Sequence, residues 1–397
     1  MRQSDKVLEL YARVCERIVR RRYFLTVLGG ATLAGAVVQG AAAATQSWNL
    51  TAPLRIRLFA GMNIVRLEMN GVSLNAADGT MVAGGRSSAM GSQVIELTGN
   101  PYLDVTAFTS AGASIQRRYP GTMFVQVRDG SLFAIDQLDV ETYVASVMSA
   151  EISPGWAVES LRAQAIAVRT YAARSRLSQR TRDYDLNDDT SSQVYRGIGE
   201  LPQSLVSAAQ DTAKQIVMAG GVPASVFYSS ACGGHTASSE ELTGQPAPPY
   251  LLGVSDLDPT GRAYCLGSPY FRWKNSVTAS SMGRIVDVPG ERLDSITIAE
   301  RWPDGRVKTV IAAASSMTVT LGGREFYSRA LNTLGYKVIP SALFDISREG
   351  PDFAFVGHGV GHGVGMCQWG ARGRAEAGVK AADILQSYFP GTTIARI

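Results

Sequence analysis

The chain has 397 residues, 45% of them hydrophobic and 18% charged, a balance that excludes a disordered polyelectrolyte and a multispanning membrane protein and leaves room for a sizeable core. Its formal charge is +4, but residues 1–44 carry seven Lys/Arg against three acids, so the remainder holds 31 of each sign. A neutral body offers no overall field to nucleic acid or to an anionic membrane, and four cysteines are too few for a disulfide scaffold.

In chain order, Arg20, Arg21 and Arg22 precede an uncharged run over residues 23–38 and then small residues at 41–44. That is the charged, apolar and cleavage-site order of an export leader. The stretch RRYFL at residues 21–25 resembles its twin-arginine variant. The leader over 1–44 places the body in the periplasm or cell envelope; left uncleaved, the same segment would be a membrane anchor.

From residue 54 to about 149 the sequence alternates in short apolar runs, at 54–58, 64–67, 94–97, 123–127 and 132–135. Asn70-Gly71 and Asp129-Gly130 between them are hairpin signals, so a sheet-rich front is expected, with at most a short helix over 141–148. Then Ala157, Val158, Leu161, Ala165, Val168 and Ala172 recur with the period of a helix buried on one face. This helix starts between Ser153 and Trp156, with Ser153 as N-cap and Pro154 at its first position. Arg162, Gln164 and Arg169 must point elsewhere. A weaker helix is expected over 205–214, strands at 216–218, 226–228, 295–298, 307–311 and 317–321, a turn at 302–305, and a final helix over 371–388 that Gly378 can divide.

Histidine is scarce: His235, His358 and His362 are the whole supply. The last two lie in GHGVGHGVGMCQWGA, residues 357–371, where the glycine density excludes the helix that a zinc-binding His pair would need. Glycines at this density instead let backbone approach backbone or ligand closely. Glu151 follows an apolar run (Val144, Val147, Met148) and precedes the long helix. A partly dry turn there would raise its pKa toward that of a general acid; the plainer reading is a surface carboxylate at a helix N-terminus. Arg169 is either a solvated arginine or a clamp for substrate or for Glu151.

Cys232, Gly233, Gly234 and His235 form a compact group, with Cys265 further on. Cys232, His235 and Cys265 would supply three of four tetrahedral zinc ligands. A Cys232–Cys265 disulfide, worth about 3 to 4 kcal/mol through loop closure, accounts for the same cysteines, and separate free thiols are a third possibility. Cys367 is the odd thiol and is expected to be buried. No Walker, GxGxxG, GxSxG or HExxH pattern occurs.

Several stretches together are recognisable. YVASVMSAEISPGWAVESLRAQAIAVRTYAARS (143–175) closely resembles the signature of the SpoIID/LytB family, known as stage II sporulation protein D and amidase enhancer. DDTSSQVYRG (188–197), FYSSACGGHTASSEE (227–241), PPYLLGV (248–254), Cys265 with SPYFRW (268–273), and the glycine-histidine stretch follow in the family's order. Two departures are Ala157, where proline is usual, and Cys367, where serine is common. The resemblance implies an α+β fold, with a β-rich N-terminal part and a mixed α/β catalytic core built around the helix after the catalytic glutamate. It divides the chain into 1–44, 45–125 and a catalytic region over 126–397.

The implied activity is that of a peptidoglycan lytic transglycosylase acting on glycan strands stripped of stem peptides, with Glu151 as acid and then base. Arg169, Gln193, Tyr228, His362 and Gln368 fall at matching positions and would bind sugar hydroxyls or orient Glu151. No cofactor is required for that chemistry, while a structural zinc at Cys232, His235 and Cys265 stays open beside the disulfide. The second implied function, from a different class, is a noncatalytic wall-binding stimulator of a cell-wall amidase.

Overall fold

The computed structural model describes residues 50–397, apart from Ser92, residues 179–181, Pro289 and Glu291. The expected export leader lies outside the described residues. Eight strands open the described chain: β1 (Leu54–Leu58), β2 (Ile64–Met69), β3 (Val72–Asn75), β4 (Thr80–Ala83), β5 (Arg86–Ala89), β6 (Ile95–Thr109), β7 (Ser114–Arg128) and β8 (Ser131–Leu138). Both predicted hairpin turns form: Met69 pairs with Val72 across Asn70-Gly71, and Arg128 with Ser131 across Asp129-Gly130. All four turn residues have positive φ, the geometry that a two-residue loop needs to match the twist of its strands.

Helix α1 (Val140–Glu151) follows, started by the Asp139 carboxylate accepting from Thr142 N–H at 2.9 Å. It is longer than the sequence pattern suggests and ends on Glu151, which therefore sits at a helix C-terminus, not in a turn before a helix. Residues 153–156 form a turn closed by Trp156 N–H on the Ser153 carbonyl, so α2 (Val158–Ser178) begins later than expected. Leu186–Asn187 (β9) then joins β1 in parallel and completes a nine-stranded sheet of order β5-β4-β3-β2-β6-β7-β8-β1-β9.

The expectation that α2 is buried on one face is corrected by the packing. Leu161, Ala165, Val168 and Ala172 join the sheet's core, with α1 and α3 (Gln203–Asp211). Ala163, Ile166 and Ala167 on the other side belong to a second core. Alanines at 163, 165, 167, 172 and 173 let both layers approach the helix closely, which larger side chains would prevent. The second core is built from β10 (Gln215–Ala219), β11 (Val222–Pro223), β12 (Tyr228–Ser229), the short α4 (Ser239–Thr243) and the C-terminal elements below.

Residues 273–355 gather around a third core. Its elements are β13 (Trp273–Val277), α5 (Ala279–Ile285), β14 (Leu293–Arg301), β15 (Val307–Ala314), β16 (Thr318–Gly322), α6 (Gly323–Leu334), β17 (Phe344–Glu349) and β18 (Asp352–Gly357). The chain then returns to the second core through β19 (Met366–Cys367), α7 (Gln368–Glu376), α8 (Ala381–Tyr388) and β20 (Thr393–Arg396), which pairs with β10. Gly378, at φ +88°, separates α7 from α8 as anticipated. The fold is α+β, with the large sheet at its front. Among the described residues no helix is long and apolar enough to cross a membrane.

Because α2 is gripped on two sides, shaving either face leaves a cavity that neither layer can close alone. Ile166→Ala is predicted to cost about 2 to 5 kcal/mol in urea unfolding, against less than about 0.5 kcal/mol for Val158→Ala on the exposed first turn. Equal losses at the two positions would mean that α2 is not held between two layers.

Candidate active site

Glu151 closes α1 with its side chain buried, 9% exposed, and its Oε2 has no hydrogen-bond partner. Burial pushes its pKa up to about 7, against smaller downward pulls from the Gln368 amide and the Arg196 guanidinium. The position at a helix C-terminus acts in the same direction as burial, since the partial negative charge of the last carbonyls disfavours a carboxylate. The reading of Glu151 as a surface acid at a helix N-terminus is thereby excluded. Glu159, in the first turn of α2, fills that role: it pairs with Arg162 and accepts from Ala381 N–H at the start of α8.

Gln368, the first residue of α7, is buried beside Glu151, and its Nε2 also lacks a partner. What fixes it there is the backbone around it. Met366 and Cys367 pair in parallel with Tyr228 and Ser229, so β19 carries Gln368 in register with β12. The approach requires glycine: Gly365 has φ +75°, and a Cβ on it would overlap the Phe227 carbonyl. Tyr228 in turn accepts a hydrogen bond from Gln193 Nε2 at 3.0 Å, and Gln193 Oε1 accepts from Tyr143 OH at 3.0 Å. Tyr143 lies on α1 and feels the charge of Glu151. Glu151, Gln193, Tyr228 and Gln368 are thus brought together by α1, the 188–197 loop, β12 and the head of α7.

His362 stands in the glycine loop against Phe227, ring centroids 6.4 Å apart, with Nδ1 accepting from Val364 N–H at 3.0 Å. Burial first, and then the charge of Arg306, push its pKa down to about 4, while the Tyr228 backbone pulls upward. Near neutral pH it is an uncharged imidazole that braces the loop. Its ring carries the proton on Nε2, since Nδ1 is the acceptor.

Arg169 is not part of this group, and its expected contact with sugar or with Glu151 is corrected. It is fully buried, and all its guanidinium nitrogens are engaged: with the Glu141 carboxylate, with the Ala209 and Gln215 carbonyls at 2.9 and 3.1 Å, and with Thr212 Oγ1. No donor is left for a ligand. Its place is to tie α1, α2, α3 and the approach to β10 together.

The cysteines form a different set from the one their spacing suggests. Cys232 and Cys265 are unbonded thiols 3.8 Å apart, so the disulfide is absent. His235 turns its Nδ1 to the Thr236 carbonyl at 2.8 Å and stands outside the thiol cluster. In its place are Asp256 and Cys367; the ligand atoms of these two, Cys232 and Cys265 all lie within 4.8 Å of one another.

The sequence reading missed the part played by four further residues. Arg196 supplies the positive charge that acts on Glu151, and its position inside the DDTSSQVYRG stretch was the available signal. Gln164, expected to point away, is buried with both amide atoms unpartnered, as is the Ser229 hydroxyl beside Tyr228. Folded proteins leave few such groups. Arg306, from the turn between β14 and β15, forms an ion pair with Asp304 and donates to the carbonyls of His235 and Cys232 at 3.2 and 2.9 Å. Gly363 has φ +77°, which favours glycine, and a Cβ there would displace this guanidinium.

Residues 128–218 match the family model described as stage II sporulation protein. The chain is 31% identical over 280 residues to an uncharacterised protein of Brachyspira hyodysenteriae, covering 70% of this chain and 72% of that one. It is 27% identical to stage II sporulation protein D of Bacillus subtilis, over 66% of this chain and 76% of that protein. It is 25% identical to the amidase enhancer of the same organism, over 62% of this chain but only 39% of the enhancer's length. A buried acid at the end of α1, framed by Gln193, Tyr228 and Gln368, lies on the segments through which the resemblance runs. The chain belongs to the SpoIID/LytB family, and its role at family level is in the cell wall.

Two predictions follow from these environments. With its folded pKa raised to about 7 against an ordinary value of 4.5, Glu151 holds its proton more tightly in the folded state than in the unfolded one. The stabilisation is complete below about pH 4.5 and is lost as pH rises through about 7. Denaturant unfolding at pH 4 and pH 8 should therefore show Glu151→Gln gaining about 3 kcal/mol relative to wild type across that window; a constant difference would place Glu151 in water. Arg169→Met strands Glu141 and several buried acceptors, and should cost at least about 2 kcal/mol in urea unfolding at pH 7. Undiminished stability would mean that Arg169 does not hold this network together.

Proposed function

We propose that this protein is a peptidoglycan lytic transglycosylase, cleaving the β-1,4 bond between MurNAc and GlcNAc on glycan strands whose stem peptides have been removed. The observation that carries this reading is Glu151: a buried acid, protonated up to about pH 7, with one oxygen unpartnered and, among the described residues, no second carboxylate acting on it. Hydrolases of the two-carboxylate type need a partner acid to activate water or attack the sugar. A lone acid suits an internal displacement.

Glu151 donates its proton to the glycosidic oxygen as that bond to the MurNAc anomeric carbon breaks and positive charge develops there. The resulting carboxylate is stabilised by the Arg196 charge and the Gln368 amide. It then takes the proton of the MurNAc C6 hydroxyl as that oxygen closes on the anomeric carbon. The products are a 1,6-anhydro-MurNAc end and a free GlcNAc hydroxyl; Glu151 ends protonated and no water is consumed. Gln193, Tyr228 and Gln368 hold sugar hydroxyls and fix the acid's orientation.

The leader pattern at residues 1–44 supports export, so the site of action in this reading is the periplasm or cell envelope. The substrate implies a cell-wall amidase as the partner that first strips the peptides. One relative is named an amidase enhancer, which favours a second reading: a wall-binding protein that stimulates an N-acetylmuramoyl-L-alanine amidase without cleaving glycan itself.

Mass spectrometry of products from intact and from amidase-stripped glycan decides between them. The mature body should release 1,6-anhydro-MurNAc ends from stripped strands, and Glu151→Gln should lower the rate at least about 100-fold. Because the first step uses the acid form, turnover should decline as pH rises above about 7. Reducing ends would mean hydrolysis. No cleavage by a folded, glycan-binding protein, together with faster release of peptides by an added amidase, would establish the second reading.

A further inference from the structure

We propose that Cys232, Cys265, Cys367 and Asp256 bind one zinc ion in a closed structural site of three thiolates and one carboxylate. Each of these side chains belongs to a residue 0% exposed, and their ligand atoms converge within 4.8 Å of one another. Two sulfurs about 2.3 Å from a tetrahedral zinc lie about 3.8 Å apart; Cys232 and Cys265 are at 3.8 Å. Asp256 Oδ2 is 3.2 Å from the Cys232 sulfur, close to the separation of an oxygen and a sulfur on the same ion.

The surroundings are arranged as a metal site's are. Asp256 Oδ1 accepts from Tyr388 OH at 2.7 Å and from Arg374 at 3.2 Å, which leaves Oδ2 aimed at the sulfurs. The Cys367 sulfur accepts the N–H groups of Cys232 and Gly370, each at 3.2 Å, an arrangement that stabilises a thiolate. Gly370 cannot carry a Cβ, because it would overlap Asp256 and Tyr388. Three thiolates select a soft or borderline ion over magnesium or calcium, and four protein ligands with no exposed edge leave no open position for substrate. The ion is therefore structural.

Its location gives it a consequence for the candidate active site. Cys367 caps α7, whose first residue is Gln368, and is paired in register with Ser229, next to Tyr228. Cys232 hands its carbonyl to Arg306. One ion would clip the loop after β12, the loops carrying Asp256 and Cys265, and the head of α7, holding Gln368 against Glu151 from behind. This assignment does not depend on which reaction Glu151 performs.

The test is metal analysis of the full chain purified without chelator, by inductively coupled plasma mass spectrometry. About one zinc per chain is expected, retained in His235→Ala and reduced to about a tenth or less in Cys265→Ala. Cobalt-exchanged wild type should show the strong visible bands of a tetrahedral thiolate site, which keeps the proposal testable if Cys265→Ala does not fold. Chelation should lower the thermal midpoint and added zinc should restore it. The proposal is overturned if folded, reduced wild type incubated with excess zinc retains none. Full zinc retention in Cys265→Ala, weak octahedral cobalt bands, or a Cys232–Cys265 disulfide in non-reducing peptide mapping would overturn it as well.

Discussion

The arrangement rests on one helix having to be thin. α2 lies between the large sheet and the C-terminal core, and both layers close on it because five of its twelve buried positions are alanine. Arg169 crosses this junction as the cation of a buried network with Glu141, Thr212 and two backbone carbonyls. Neutralising a fully buried guanidinium takes that many partners, so it specifies the positions of α1 and α3 as well as its own helix. Once α1 is placed, its last residue is placed too, and that residue is Glu151.

The environment of Glu151 then follows from geometry more than from any charged neighbour. Its carboxyl is raised by burial, while Arg196 and Gln368 pull weakly the other way. A carboxyl so placed keeps its proton up to about pH 7, with the Arg196 charge close enough to act on it. The glycine loop is the other half of the arrangement. Gly359 and Gly365 let the loop at 358–365 press against the backbone of Ala231 and Phe227, where any Cβ would collide. That contact sets the register between β12 and β19 and so brings Gln368 to the acid.

The sheet-rich front was legible because hairpin chemistry is local: Asn70-Gly71 and Asp129-Gly130 each determine their turn with two residues. Glu151 was legible as a candidate because an apolar run before it signals burial. Its helical position was not, since the apolar run and the helix it ends are one element that the 141–148 pattern shows only in part. The role of Arg169 was hidden for a different reason. A buried arginine and a substrate arginine on an alanine-rich helix look the same until Glu141 and residues 209–215, far along the chain, are seen to surround it. The third core gave little signal for α5, α6, β17 and β18.

The cysteines illustrate the same limit and point to its cause. Spacing favoured His235, three residues from Cys232, but local proximity in sequence turned the imidazole onto its own neighbour's carbonyl. The groups that do converge come from residues 232, 256, 265 and 367, and what joins the last of them is the glycine-permitted crossing of β12 and β19. Cys367, unremarkable as an odd thiol, therefore stands between two demands: its sulfur faces a buried cluster and the next residue faces the acid. A serine there could still cap α7, but it would not complete a thiolate set. In this chain Cys367 meets Cys232, Cys265 and Asp256 in one buried cluster, so the departure from serine adds a third sulfur to it.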